Sequence, residues 1–272
     1  MSEMNTQQKE KYDHSSNKEF YDYYADQSVT DLTVERMTGI RDAVLRIRQQ
    51  EGGDQNNLKV ADVGCGAGSL SRLWAEAGHE VYGLDVNEPL IQLAQERATA
   101  ENLKVTFRVG SATHLPWDNA SFDVCTVPEL LEHVADWQQC LNEFCRILKP
   151  GGILYLSTSN LLCPKQQEFT LPLYSWYPAP IKKYCEKLAV TSHPQIVNYA
   201  KYPAVHWFTF FQLKKFLRGK GLQALDCFDI MNMEDRPFVV KAMRGVIVRV
   251  LPVRWLAHVA TPYTVVVGVK NA

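Results

Sequence analysis

Residues 60 to 68 read Val-Ala-Asp-Val-Gly-Cys-Gly-Ala-Gly, a glycine-rich turn that closes a short apolar run. Helix-like sequence begins directly after this turn, at Ser69. Glycine lets a backbone turn tightly and lets a ligand approach closely, because it has no Cβ atom. Strand, glycine turn and helix in this order are typical of the ligand-binding edge of a parallel α/β sheet.

A second apolar run, Val81 to Leu84, ends in Asp85, seventeen residues beyond Gly68. In a doubly wound sheet, a carboxylate at this place can accept hydrogen bonds from both hydroxyls of a ribose. The two features together predict a cofactor that contains a nucleoside. A glycine turn in some other α/β protein is the alternative, and Asp85 argues against it.

The spacing of the glycines indicates which cofactor to expect. The dinucleotide fingerprint has two residues between its second and third glycines, where the helix must hold a pyrophosphate. Here only Ala67 separates Gly66 from Gly68, and Asp62 precedes the first glycine by two positions. This pattern resembles the first motif of class I S-adenosylmethionine (SAM) methyltransferases. SAM has no pyrophosphate, and an acid near the glycines suits its cationic amino-acid end.

Strand-like and helix-like segments alternate from residue 59 to residue 158. Such alternation predicts parallel βαβ units in a Rossmann-like, doubly wound, mostly parallel seven-stranded sheet. Predicted strands are 59–63, 80–85, 105–109, 122–127 and 153–158, with closing strands in 222–230 and 261–269, and predicted helices are 69–77, 89–101, 137–148 and 211–220. We divide the chain into an N-terminal helical segment that is expected to cover the cofactor site (1–48), a cofactor-binding Rossmann-like core (49–160), a cap or substrate insertion (161–206) and a C-terminal completion of the sheet (207–272).

The predicted cap is rich in both proline and aromatic residues. Prolines disfavour sheet and aromatic residues disfavour disorder, so helices and loops packed over the cofactor edge are expected. The candidate substrate-binding residues in or beside this cap are Tyr174, Trp176, His193 and His206. The cap aromatics are equally well explained as a small core or as a wall of a substrate site.

Further motifs extend the methyltransferase resemblance over roughly residues 20 to 160. These are Leu115-Pro-Trp117, Ser121-Phe-Asp123 and the Lys149-Pro-Gly-Gly152 turn. Within the superfamily, Pro128-Glu-Leu-Leu-Glu-His-Val134 and Tyr155-Leu-Ser-Thr-Ser-Asn160 resemble the O-methyltransferases of ubiquinone biosynthesis. The resemblance implies that SAM binds at Asp62, Gly64, Cys65, Gly66, Gly68, Asp85, Val86, Ser111, Ala112, Thr113 and Pro128.

One position departs from the family pattern. The family usually has an aspartate after the third strand, which accepts a hydrogen bond from the adenine amino group, whereas this chain has Ser111. A hydroxyl can also accept this hydrogen bond, although a neutral acceptor is weaker than a charged one. We therefore expect backbone groups at Ala112 and Thr113 to contribute to adenine recognition.

Glu129, Glu132 and His133 are the candidate catalytic residues, because they follow the fourth predicted strand at the ligand-binding edge. A hydroxyl acceptor must lose its proton, and a histidine, a carboxylate or a metal ion can assist this step. The resemblance implies that the three residues could hold Mg²⁺ or Zn²⁺ against a catechol-like acceptor. The alternative is that Glu132 and His133 lie at a helix N-terminus, where the helix dipole favours an acid.

Composition narrows the range of partners. The chain of 272 residues has 29 basic and 30 acidic residues, which gives no electrostatic reason to expect nucleic acid. The sequence shows no signal peptide and no apolar stretch of about 20 residues, and its seven cysteines contain no CxxC pair. A cytoplasmic protein with reduced thiols is expected, and the sequence does not indicate its oligomeric state.

Residues 238–259 combine apolar residues with four basic ones and contain no acid. A basic amphipathic segment of this kind could lie in a membrane interface and give access to a lipophilic acceptor. Alternatively, the segment packs into the core and its arginines extend to solvent.

The leading functional hypothesis is O-methylation of a phenol, hydroxyl or carboxyl group on a small molecule. Methylation at nitrogen or carbon of a lipid or natural product, and a non-catalytic SAM-fold protein that binds partners, are the alternatives.

Overall fold

The computed structural model describes residues 18–166, 169–197, 204 and 206–271. Residues 1–17 of the predicted N-terminal segment lie outside this range. So do residues 167–168, 198–203 and 205 of the predicted cap, which include Tyr199 and Tyr202.

One seven-stranded sheet forms the centre of the protein, with strand order β3-β2-β1-β4-β5-β7-β6. Its strands run parallel, except that β7 is antiparallel to both β5 and β6. The strands are β1 (Lys59–Val63), β2 (Glu80–Asp85), β3 (Val105–Val109), β4 (Phe122–Pro128), β5 (Leu148–Ser159), β6 (Leu222–Asp226) and β7 (Tyr263–Lys270). The predicted doubly wound, mostly parallel sheet is confirmed.

Helices cover both faces of this sheet. They are α1 (Lys18–Gln27), α2 (Asp31–Gln50), α3 (Ser69–Glu76), α4 (Glu88–Ala100), α5 (Trp137–Ile147), α6 (Ala179–Thr191), α7 (Phe210–Gly219), α8 (Cys227–Ile230), α9 (Phe238–Arg249) and α10 (Leu251–Val259). Successive residues of β4 point to opposite faces, so that Val124 packs with α2 and α3 whereas Cys125 packs with α5 and α7. The sheet therefore has an apolar core on each side.

Two predicted strands differ from the observed ones by four or more residues at one end, and the predicted strands 122–127 and 261–269 by only one or two. Strand β5 begins at Leu148 rather than at residue 153, because Gly151 adopts φ +72° and the register with β4 shifts there instead of a separate turn forming. The predicted strand 222–230 ends at Asp226, whose side chain accepts hydrogen bonds from the backbone N–H groups of Phe228 and Asp229. Asp226 thereby caps α8 and stops the strand.

The described part of the cap has a small core of its own, centred on Tyr174. The Tyr174 side chain is fully buried and stacks on Phe169, with ring centroids 3.9 Å apart. Cys185 and Ala189 of α6 complete this cluster. Tyr174 therefore packs inside the cap, as the core alternative predicts.

The basic segment 238–259 forms two helices, α9 and α10, rather than one. Helix α9 ends at Arg249, and Pro252 lies in the first turn of α10, where its missing N–H is harmless. No residue of α9 is buried, so the prediction that this segment packs into the core is wrong for α9. Within the described residues, every helix is too short or too polar to cross a bilayer.

Candidate cofactor and active site

The three glycines after β1 all have left-handed backbone conformations, with φ between +50° and +80°. They differ in what surrounds them. A Cβ atom at Gly68 would lie 3.0 Å from the side chains of Ala94 and Phe107, so this glycine is required for helix packing. A Cβ atom at Gly66 would meet no protein atom within 4 Å. Gly66 therefore borders open space at the carboxyl edge of the sheet.

Asp85 lies at the end of β2 and contacts this glycine loop directly. Its Oδ2 atom accepts from the Gly66 N–H at 2.9 Å, and its Oδ1 atom accepts from the Asn87 N–H at 2.9 Å. Burial raises the pKa of Asp85, although the backbone hydrogen bonds oppose this effect. A carboxylate has about four acceptor positions, so each oxygen can accept one more hydrogen. This spare capacity beside open space fits the two hydroxyls of a ribose.

Asp62 lies beneath the loop rather than facing open space. Its side chain is 1% exposed, and its two oxygens accept from the Ser71 hydroxyl at 2.6 Å and the Thr126 hydroxyl at 3.0 Å. Burial raises the pKa of Asp62 to about 6, and the two hydroxyl donors limit the rise. The carboxylate connects β1, α3 and β4, and thus supports the glycine loop from below.

The loop after β3 is joined to the same edge. The Gly110 N–H donates to the Asp85 carbonyl at 2.9 Å, which places the start of the loop beside the end of β2. Ser111 is exposed, and its Oγ atom accepts from the Thr113 N–H at 3.3 Å. Ala112 is buried, whereas Val86 is 53% exposed. The Ser111 hydroxyl on this loop and the exposed Val86 side chain, which directly follows Asp85, thus lie at the same edge of the sheet.

The side chain of Cys65 lies next to the two aspartates. Burial, together with the charges of Asp85 and Asp62, raises the pKa of the Cys65 thiol well above its usual range. A Cβ atom on Gly83 would lie 3.0 Å from the Cys65 sulfur, so this thiol fills space beneath the loop. Cys65 is therefore a neutral packing group at the base of the site.

Glu129 is the first of the three predicted catalytic residues. It follows β4 with a left-handed backbone, at φ +53°, which is uncommon outside glycine. Its carboxylate pairs with the Arg36 guanidinium of α2 at 2.5 Å. Burial alone would lower the pKa of Arg36, but the Glu129 carboxylate outweighs burial and raises it. The ion pair joins the N-terminal helix to the carboxyl edge of the sheet.

Glu132 and His133 lie on a short 3-10 turn, Leu131–His133. Glu132 is 1% exposed and accepts from the Thr158 hydroxyl at 2.7 Å, whereas His133 is partly exposed. The cap of the following helix is Asp136, which accepts from the Gln139 N–H at 3.0 Å. Glu132 therefore lies in the first turn of the short 3-10 helix, whereas the N-terminus of the following α-helix is capped by Asp136.

The three candidates do not form a ligand set. Glu129 pairs with Arg36, and Glu132 accepts from a buried hydroxyl in β5. Within residues 18–166, 169–197, 204 and 206–271, no three His, Cys, Asp or Glu side chains group closely enough to hold a metal ion. The predicted coordination by Glu129, Glu132 and His133 is not supported by this arrangement.

The four predicted substrate residues lie in different surroundings. The His206 N–H donates to the Glu132 carbonyl at 3.1 Å, which places His206 beside the catalytic candidates. Trp176 is 55% exposed, and its indole N–H donates to the Leu162 carbonyl. His193 is exposed beyond the end of α6 and contacts Ser192. Together with the buried Tyr174, they do not form one continuous wall.

A second set of contacts, not predicted from sequence, attaches the N-terminal segment to the cofactor edge. The Ser69 hydroxyl at the start of α3 donates to the Ser28 carbonyl at 2.6 Å. Arg97 of α4 donates to the Ser28 hydroxyl at 2.6 Å and to the Ala25 carbonyl at 2.9 Å. These partners are 41 to 72 positions apart in the chain, and no local sequence signal reports such pairings.

Comparison with known proteins relates this site to a family. The methyltransferase domain family matches residues 61–156, which include the glycine loop and Asp85. A ubiquinone biosynthesis O-methyltransferase of Coxiella burnetii is 41% identical over 101 residues, covering 37% of this chain and 43% of the relative. The match thus spans less than half of that relative's length.

Two further comparisons extend over more of the chain. A demethylmenaquinone methyltransferase of Lactiplantibacillus plantarum is 30% identical over 174 residues, covering 62% of this chain and 71% of the relative. The crystal structure of a magnesium protoporphyrin IX methyltransferase from Synechocystis with bound SAM covers 100% of both chains, with a TM-score of 0.56 and 15% identity. That structure shares the fold. Because the demethylmenaquinone methyltransferase is matched over 71% of its length at 30% identity, and the methyltransferase domain family matches residues 61–156, this chain belongs to the class I SAM-dependent methyltransferases.

Proposed function

We propose that this protein transfers a methyl group from SAM to a small molecule, with an oxygen of a phenol, hydroxyl or carboxyl group as the favoured acceptor. The observation that carries the proposal is the Asp85 carboxylate, held by the Gly66 and Asn87 N–H groups beside open space. The residues proposed to hold the cofactor are Asp62, Gly64, Cys65, Gly66, Gly68, Asp85, Val86, Ser111, Ala112, Thr113 and Pro128. Of these, Asp62 and Cys65 act by supporting the loop.

Bound SAM supplies a methyl group that is already activated by its sulfonium. The protein then has to align the acceptor with this methyl group and exclude water. The N-terminal segment is suited to the second task, because Ser28 and Arg36 attach it to the cofactor edge.

An oxygen acceptor must also lose its proton, and we assign this step to His133. General-base catalysis of this kind contributes about 10²- to 10⁴-fold. Glu129 is engaged by Arg36 and Glu132 by Thr158, whereas His133, which directly follows Glu132 on the 3-10 turn, is partly exposed. Glu129 and Glu132 then orient the turn that carries the base. His206, whose backbone joins this turn, is the cap residue best placed to contact the acceptor.

Replacing His133 with alanine tests the assignment. We expect turnover to fall by about 100-fold or more while SAM affinity, measured by calorimetry, stays within about twofold of wild type. Unchanged turnover would remove His133 from the mechanism. Loss of SAM binding would show instead that the turn shapes the cofactor site.

A divalent ion, Mg²⁺ or Zn²⁺, is the competing means of activating the acceptor. The arrangement of Glu129, Glu132 and His133 does not favour it, because two of the three side chains have other partners. We therefore expect exhaustive chelation to leave turnover and SAM affinity unchanged. If chelation abolishes turnover and added Mg²⁺ or Zn²⁺ restores it, this expectation is wrong, and Glu129, Glu132 and His133 are again the candidate metal ligands.

The acceptor is proposed from the relatives, whose names refer to ubiquinone biosynthesis and to demethylmenaquinone. A phenolic or quinone-type ring with an apolar substituent fits both. Methylation at nitrogen or carbon is the second candidate, since the name demethylmenaquinone methyltransferase specifies no oxygen. Incubating cell extracts with methyl-labelled SAM and locating the label by mass spectrometry tests both. A labelled methyl group on nitrogen or carbon would show N- or C-methylation instead of O-methylation. SAM binding with no labelled product would support a non-catalytic role.

We also propose a cytoplasmic protein with peripheral membrane contact through residues 238–259, which would give a lipophilic acceptor a route to the site. The near balance of 29 basic and 30 acidic residues gives no support for a nucleic-acid partner.

A further inference from the structure

We infer that α9 and α10 form a docking surface for a bilayer rich in anionic phospholipid. This inference rests on the peripheral contact in the proposed function and assigns its surface and its lipid class. We name the two helices, Phe238–Arg249 and Leu251–Val259, the basic hairpin.

The basic hairpin exposes an unusual amount of apolar side chain. Val239, Met243, Val246 and Val250 follow each other at intervals of four, three and four residues and so lie on one face of α9. Each is at least 42% exposed. The exposed apolar residues of the whole hairpin are Phe238, Val239, Met243, Val246, Val250, Leu251, Trp255 and Leu256. An apolar stripe of this size on a protein surface marks an interaction site.

The apolar stripe is held in place by a buried polar network. Arg254 pairs with the Asp226 carboxylate at 2.7 Å, and His258 contacts the same carboxylate at 2.9 Å. Arg244 donates to the carbonyls of Phe228 and Asp229 at 2.7 and 2.9 Å. These contacts join the inner side of the hairpin to β6 and α8. The outer, apolar side is therefore a formed surface rather than a frayed end.

The charges divide into inner and outer groups. Arg244 and Arg254 point inward and are used by the network just described. Lys241 and Arg249 are exposed, as is Arg236 directly before the hairpin. From Arg236 to the end of the sequence there is no aspartate or glutamate. Within the hairpin itself the exposed apolar stripe is thus bordered by cations alone, and the exposed acids nearest in sequence are Glu234 and Asp235, which precede Arg236.

This charge distribution selects the occupant. A second copy of the chain that used the same surface would bring like charges together, because a two-fold interface pairs each patch with itself. An anionic bilayer complements the cations, and Trp side chains such as Trp255 favour the membrane–water interface. With helices of 12 and 9 residues, the hairpin can lie in the interface but cannot span the bilayer.

The base of the hairpin is connected to the active edge. Asn160, directly after β5, donates through its side-chain amide to the carbonyls of His258 at 2.8 Å and Thr261 at 2.7 Å. Thr158, two residues earlier, donates a hydrogen bond to Glu132, which lies on the same 3-10 turn as His133. A docked hairpin would therefore place this edge of the sheet near the lipid surface, where an apolar acceptor is concentrated.

Vesicle co-sedimentation tests the surface without requiring turnover. Wild-type protein is mixed with vesicles of phosphatidylcholine alone or with 30 mol% phosphatidylglycerol. We expect binding to the anionic vesicles that decreases with added salt. Lys241→Glu/Arg249→Glu should weaken this binding by about 25-fold or more, since each cation near an anionic surface contributes about fivefold. Lys104→Glu/Lys215→Glu, with the same change of net charge at exposed positions elsewhere, should retain it.

The apolar stripe is tested separately. Met243→Asp/Leu251→Asp should abolish sedimentation, whereas Ile181→Asp on α6, also at an exposed apolar position, should not. Recovery of wild-type protein in the supernatant with both vesicle types would overturn the inference. So would equal loss of binding in the hairpin variants and the matched controls. A wild-type dimer that Met243→Asp/Leu251→Asp converts to a monomer would assign the stripe to a second copy instead. SAM affinity, measured in parallel, reports separately on the proposed function.

Discussion

Replacing Asp85 is the most informative test of the cofactor site. In the structure its carboxylate accepts from two backbone donors, Gly66 N–H and Asn87 N–H, both at 2.9 Å. Two ribose hydroxyls would use the remaining acceptor positions. A hydrogen bond to a charged group contributes about 1.5–3 kcal/mol, so the loss of two corresponds to at least about 3 kcal/mol. We therefore expect Asp85→Ala to weaken SAM binding by about 150-fold or more.

Asp85→Asn should be almost as damaging, although it conserves shape. An amide has one acceptor oxygen and one donor nitrogen, whereas both backbone partners are donors. Either Gly66 or Asn87 would then face a second N–H group. We expect Asn to leave the glycine loop less ordered and to recover little of the lost affinity. If Asp85 contacted only the ribose and no backbone N–H groups, Asp85→Asn would lose less affinity.

Isothermal calorimetry with SAM measures these affinities, and far-UV circular dichroism shows whether each variant folds. Glu88→Gln, an exposed acid in the first turn of α4, is the matched control and should bind like wild type. If Asp85→Ala binds SAM within about threefold of wild type while folded, the ribose assignment is wrong.

Three further predictions concern stability, and urea unfolding checks each. Asp226→Ala should lower the free energy of unfolding by about 3–5 kcal/mol, because Arg254 loses one of its two carboxylate partners, His258 loses the same partner and α8 loses its N-cap; a loss below about 1 kcal/mol would refute this. Burial raises the pKa of Asp62 from 3.8 to about 6, so folding favours its protonated form and its contribution is lost as pH rises through 6. An asparagine at this position does not titrate, so the difference in free energy of unfolding between Asp62→Asn and wild type should shift by about 2 kcal/mol in favour of the variant as pH rises from 4.5 to 7.5. A difference that stays constant over this pH range would contradict the prediction. Arg36→Met should change stability by less than about 1 kcal/mol, because its pair with Glu129 is partly exposed to solvent, and a larger loss would show that this ion pair contributes more to folding than surface pairs do.

Local signals explain most of what could be predicted from sequence. Strands β1, β2 and β3 have the predicted bounds, because each apolar run ends at a clear turn or charged residue. The predicted helix 211–220 forms as α7, and its N-cap is Thr209, a residue type favoured at this position, whose hydroxyl accepts from the Gln212 N–H at 3.1 Å. The spacing of the glycine loop and Asp85 in the sequence was enough to predict that they meet. Each follows the end of a strand, and these two strands, β1 and β2, are parallel neighbours in the sheet.

What sequence could not provide was the pairing of distant side chains. Arg36 and Glu129 are 93 positions apart, and neither has a neighbour in sequence that marks it as half of an ion pair. Glu132 resembled a ligand or a capping acid, whereas its burial and its contact with Thr158 follow from the packing of β5. The pattern of the basic hairpin was ambiguous for another reason. An apolar stripe has the same period whether it faces a protein core or a membrane.

The connection between β6 and β7 has a consequence for the evolution and engineering of this chain. These two strands are antiparallel neighbours, and Asp226 pairs in register with Val266. A turn of two to five residues suffices to join such strands, yet 36 residues, 227–262, separate Asp226 from Tyr263. Because the chain leaves and re-enters at one corner of the sheet, the length between these points can change without altering any strand order. Such changes of length are confined to the outer, exposed part of the segment, because Arg254, His258 and Asn160 fix its inner side to the sheet.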